Sequence, residues 1–158
     1  MATVLYTILL IGIVLLPIPL WSFLEYRARK KALRQGFAVL EATAGRHQLR
    51  LSARSESCTG WLAADPDRKV LVLVTEGEEG WQSRLIEVKA GCSCQLSPGD
   101  SGTPLSLSLR IHPPGEQPAE WLLYEHNRHN PRSWREAEKT GEQWCATIRH
   151  MISPAGWK

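Results

Sequence analysis

Gly99-Asp100-Ser101-Gly102-Thr103-Pro104 sets a serine among small residues, and His47 and either Asp65 or Asp67 precede it in the chain. A hydroxyl, an imidazole and a carboxylate are the parts of an activated nucleophile: the imidazole takes the hydroxyl proton and the carboxylate holds the ring. Read from Pro98, the same segment is also what a hairpin loop requires, with Gly for positive φ and Asp or Ser for local side-chain bonds. The loop reading takes precedence. Ser101 stands as a weaker, hydrolytic alternative and no catalytic residue is assigned.

In local sequence the segment resembles the nucleophile region of trypsin-like serine proteases. Two departures weaken the likeness. His47 stands in Gly45-Arg46-His47-Gln48 instead of the Ala-Ala-His-Cys setting of that family, and those enzymes are two packed barrels, more than this chain can build.

Four cysteines, Cys58, Cys92, Cys94 and Cys145, with His126 and His129, supply the residue types of a zinc site. Their spacing argues against one. Cys92-Ser93-Cys94 puts two thiols on one face of a strand, whereas structural zinc sites take paired ligands from a knuckle with two or more intervening residues. Cys145 and one of the pair are expected to be small buried hydrophobes. No metal and no cofactor is expected, and a reducing cytoplasm would disfavour disulfides.

The cations are unevenly spread. The formal net charge is +3, yet Glu25 to Gln35 alone holds five basic side chains, Arg27, Arg29, Lys30, Lys31 and Arg34, against one acidic, a local +4. Gly36 to Lys158 has fourteen basic against fifteen acidic side chains, or −1. Nucleic-acid binding needs a cationic surplus on the binding face, and the bulk of the chain has none. A smaller group, His126, Arg128, His129 and Arg132, with Arg135 behind it, precedes the last helix. It reads as a solvated connection, with a contact patch for a phosphate or an acidic partner as the functional alternative.

The elements that position these residues begin with an apolar run. Thr3 to Leu24 carries no charge, and at about 1.5 Å per residue it reaches about 33 Å, against a hydrocarbon core of about 30 Å. A single transmembrane helix with a basic extension is therefore expected over residues 1–35. A cleaved signal peptide is the poorer reading, because no basic stretch precedes the run and Trp21-Ser22-Phe23-Leu24-Glu25-Tyr26 offers no small-residue cleavage site. The basic excess behind the run places residues 36–158 in the cytoplasm of a bacterial inner-membrane protein, with the N-terminus periplasmic and Trp21 and Tyr26 at the interface. Pro17 and Pro19 should kink the span, and Gly36 should end its helix.

From Phe37 to His126 the hydrophobic period is two, the pattern of antiparallel strands. Leu105, Leu107, Leu109 and Ile111 alternate with Ser106, Ser108 and Arg110. Gly60 to Ala64 and Lys69 to Val74 flank Asp65-Pro66-Asp67-Arg68, a hairpin. Further strands are expected at Gln48 to Ala53, Trp81 to Lys89, Cys92 to Leu96 and Trp121 to Glu125. At Ser133 the period changes: Ser133 and Glu136 have capping-box spacing, and Trp134, Ala137, Gly141, Trp144, Ile148 and Met151 draw one apolar stripe along a helix. The two tryptophans read as core plugs, with a ligand platform as the alternative.

Gly60-Trp61-Leu62-Ala63-Ala64-Asp65 with its hairpin, Arg84-Leu85-Ile86-Glu87-Val88, and the tail with Asn130-Pro131, Ser133-Trp134, Ala137-Glu138 and Trp144 resemble bacterial pleckstrin-homology-like (PH-like) domain proteins with an N-terminal anchor. The resemblance spans most of Gly60 to Ile152. It implies an α+β chain: one transmembrane helix, then a PH-like antiparallel barrel or meander of about seven strands, closed by one C-terminal helix. It also implies a binding scaffold.

The expected function is accordingly a membrane-anchored, non-catalytic interaction protein whose cytoplasmic domain binds partner proteins, as a small subunit of an envelope or mobile-element-encoded assembly. Partner transmembrane helices and anionic lipid headgroups are further expected contacts, and nucleic acid is not. The alternative from another class is a membrane-surface lipid or small-ligand sensor.

Overall fold

A computed structural model of the chain describes residues 17–99, 105–126, 128, 130 and 132–153, with side chains from Phe23 onward. Two compact units are distinguished, Met1–Arg34 and Gln35–Lys158.

Helix α1, Pro17–His47, corrects two expectations at once. Most of the expected membrane crossing, residues 3–16, lies outside the described residues. Among the described residues, no helix is long and apolar enough to cross a membrane, because Glu25, Arg27, Arg29, Lys30, Lys31 and Arg34 lie within α1 and end its apolar run. The transmembrane helix of the expected fold is thus not supported. Nor does the helix end at Gly36, which sits in its interior and is buried. It ends at His47, where Gln48 takes φ 52°, the Gln48 N–H donates to the Gly45 carbonyl (3.2 Å) and the Leu49 N–H donates to the Ala44 carbonyl (2.9 Å). These are the two bonds of a Schellman stop, with a glutamine in the left-handed place.

Among the described residues seven antiparallel strands follow, in two sheets instead of one continuous barrel. The first sheet has the order β1 (Ala53–Glu56), β2 (Gly60–Asp65), β3 (Val70–Gly77), β4 (Gly80–Glu87), and the second β5 (Ser93–Pro98), β6 (Ser106–His112), β7 (Ala119–Glu125). Between β4 and β5 the chain turns at Gly91, φ 90°, where the Cys92 N–H donates to the Lys89 carbonyl (3.0 Å). Helix α2, Trp134–Ile152, comes last.

The centre of the first sheet, β2 and β3, is buried on both faces. Leu71, Val72, Leu73 and Val74 are all inaccessible or nearly so, which is why their run lacks polar alternation. Val72, Val74 and Ala63 meet Leu40 of α1, with Phe37, Trp61 and Trp81 at the margins. Leu62, Leu71, Leu73 and Ile86 join the second sheet and α2 in a larger core around Trp121, Leu109, Trp144 and Ile148. Trp144 meets Trp121 edge to face with centroids 6.3 Å apart, and the half-buried Trp134 meets Tyr124 edge to face at 5.5 Å, so both tryptophans of the α2 stripe serve packing. Each fully buried Leu or Ile contributes about 2 kcal/mol. The strand expected at Gln48 to Ala53 begins only at Ala53, because the preceding residues leave the helix stop and follow the Asp65 carboxylate.

Candidate functional site

Asp65 is almost fully buried at the end of β2. Its Oδ2 accepts the Arg50 N–H at 2.7 Å and its Oδ1 accepts the Arg68 N–H at 3.1 Å. Both carboxylate oxygens therefore hold backbone, one closing the β2–β3 turn and the other fixing the strand-like segment after α1. The Arg68 guanidinium donates to the His47 carbonyl at 2.7 Å, so the His47 backbone joins the same clamp. Asp65 and the His47 backbone are engaged in holding the chain. Ser101, the nucleophile of the hydrolytic alternative, lies outside the described residues, as do Asp100 and Gly102.

The clamp opens a cleft. Leu49, Arg50, Leu51, Ser52, Ala53 and Arg54 line one side, with Pro66, Asp67 and Thr147 of α2 facing them, around a volume of about 730 Å³. That is within the range of ligand sites, about 300–1,000 Å³. Pro66 and the half-buried Leu49 and Leu51, which also pack against the Leu40 cluster, supply its apolar residues, and Arg50, Ser52 and Thr147 supply polar ones. Arg54 is held by Glu41 at 2.6 Å and lies 5.8 Å from the Phe37 ring. Ala53 and Arg54 begin β1, the outermost strand of its sheet, so the cleft lies beside the start of a sheet edge. The alternating residues of this segment look like an ordinary strand, which is why sequence reasoning missed the site.

The described members of the patch before α2 turn to different partners. His126 and Arg128 are exposed, but Arg128 pairs with Glu125. Arg132 instead turns to β1, donating to the Glu56 carbonyl at 2.5 Å. Asn130 closes the turn between them, exchanging bonds with the Glu125 backbone at 3.0 and 2.7 Å. His129 lies outside the described residues.

The basic residues of α1 form a stripe. Arg27, Lys30, Lys31 and Arg34 recur at intervals of three and four and are exposed, while Arg29 is half-buried elsewhere on the helix. Exposed Phe23 and Tyr26 lead the same face; the Arg27 guanidinium lies 4.5 Å from the Phe23 ring and the Lys30 ammonium 6.0 Å from that of Tyr26.

The cysteines separate into distinct settings. Cys58 faces the Leu122 carbonyl at 3.6 Å. Cys94 and Cys145 bring their sulfurs to 2.6 Å, and burial pushes the nearby Cys92 thiol up. Among the described residues no group of three or more His, Cys, Asp or Glu side chains is placed to hold a metal ion.

Comparison of the chain with known protein families, with curated proteins and with solved structures finds no match.

Proposed function

We propose that the chain is a non-catalytic binding module whose Gln35–Lys158 unit takes an extended segment of a partner protein along the cleft beside β1. The cleft carries this reading. An outer strand offers backbone donors and acceptors to an added strand, here ahead of Glu56, whose carbonyl Arg132 takes, and Pro66 with the half-buried Leu49 and Leu51 offers that segment apolar contact. Arg50 on the rim suits its carboxylate. Ser52→Arg and Thr147→Arg place long charged side chains across the cleft without entering the core. A partner retained by the native chain and lost from both variants supports the proposal; equal retention defeats it.

The α1 stripe favours a second reading, contact with an anionic membrane surface. Each cation near such a surface contributes on the order of 1 kcal/mol, and aromatic rings beside the cations suit the headgroup region. Flotation with anionic against zwitterionic vesicles separates the readings. Salt-sensitive binding to the anionic vesicles alone, lost on reversing Lys30 and Lys31 to Glu, favours the membrane.

A further inference from the structure

Cys94 and Cys145 are far apart in sequence and together in space. Cys94 lies on β5, half-buried, and Cys145 on α2, 6% exposed. Their sulfurs are 2.6 Å apart, close to the disulfide bond length of about 2.0 Å. The elements around them are in place: β5 packs on α2, and Leu96 of β5 occupies the space beside Gly141 one turn before Cys145, where an added Cβ would lie 2.3 Å from the Leu96 Cδ2.

We propose that Cys94 and Cys145 are an oxidative modification site, closing to a disulfide that ties the C-terminal helix to strand β5. The reaction is thiol–disulfide exchange with a donor disulfide, RSSR, of the glutathione class or on a disulfide oxidoreductase. One thiolate of the pair attacks a donor sulfur, forming a mixed disulfide and expelling RS⁻. The other thiolate then attacks the protein sulfur of the mixed disulfide and expels the second RS⁻. The protein gives up two electrons, the donor is reduced to two RSH, and the two thiol protons end on the leaving groups. Contact with Cys94 draws the Cys145 thiol below its ordinary pKa; burial opposes this, and Arg149 one turn along the helix assists. The same contact, and burial, push the Cys94 thiol up, so Cys145 is the thiol that attacks the donor first and Cys94 the one that resolves the mixed disulfide. Cys92 lies just before β5, two residues from Cys94, and Cys58 faces the Leu122 carbonyl of β7 instead, so Cys145 is the thiol that Cys94 meets.

The bond would close a loop running from position 94 to position 145, and a cross-link of that span removes enough unfolded-state freedom to raise Tm by on the order of 10 °C. The test incubates the full chain with oxidised glutathione, blocks remaining thiols with N-ethylmaleimide, and maps peptides by mass. A Cys94–Cys145 linked peptide, two blocked cysteines remaining at Cys58 and Cys92, and a Tm that falls on adding reductant are expected. Four blocked cysteines after oxidation, or Cys94 linked to Cys92, overturns the proposal. Mapping on the native chain decides the matter even where Cys145→Ser fails to fold.

Discussion

The Trp81 indole fills the space where Gly36 has no side chain: a Cβ on Gly36 would lie 2.6 Å from Cζ3 of the ring. Helix α1 can therefore lie against β4 only with glycine at this position. Alanine in a helix interior ordinarily gains about 1 kcal/mol over glycine, but here it must displace a ring held in a packed cluster, and overpacking costs about 1–3 kcal/mol. Gly36→Ala is expected to lower stability in urea denaturation. In a Trp81→Leu background the same substitution should be neutral or stabilising.

Asp65→Ala leaves the Arg50 and Arg68 amides without their acceptor and should cost about 2–3 kcal/mol, more than Asp67→Ala at the exposed turn position beside it. Chemical denaturation of the two variants checks the difference. Loss of stability from Asp65→Ala also argues that its role is structural.

Glu136 accepts both the Ser133 N–H and the Ser133 hydroxyl at 2.8 Å, and these bonds hold its carboxyl below the ordinary value of 4.5. The stabilisation from this depressed pKa is fully present above 4.5, because the folded chain then gains no proton that the unfolded chain lacks. As pH falls below 4.5 the unfolded chain binds the proton first, and the contribution is lost on passing the lower folded value. Glu136→Gln should flatten that part of the acid limb in a pH series of thermal melts and leave the slope above 4.5 unchanged.

Much of the sheet region could be read from the sequence because its signals are local. The alternation of Leu105 to Ile111 matches β6, the Asp-Pro turn stands between β2 and β3, and the capping residues Ser133 and Glu136 stand at the start of α2. The errors lie where a residue acts against its type. Gly36, a usual helix terminator, is interior because of Trp81, which is distant in sequence, whereas Gln48, with no compositional cue, takes the left-handed stop. Burial of β2 and β3 on the face of Ala63, Val72 and Val74 depends on that longer helix, through Leu40. The cleft follows from Asp65 capturing the Arg50 amide, a contact between segments that neither period nor spacing announces.

Arg132 and Arg128 separate the two meanings of the patch before α2. Arg132 donates to the Glu56 carbonyl, so Arg132→Ala should destabilise by about 1–2 kcal/mol. Arg128 pairs with Glu125 at the surface, and its replacement should change stability by less than about 1 kcal/mol. Paired urea titrations read the difference.

Site-specific photo-crosslinking in the native host tests the binding cleft most directly. A photoreactive residue at Ser52 or Thr147 faces the cleft, and one at Gln82, an exposed position on β4, serves as the control. The account predicts a discrete protein adduct from Ser52 and Thr147, absent from Gln82, with the cross-linked partner peptide mapping to one segment. The same adducts from all three positions, or none from the cleft positions, would contradict it.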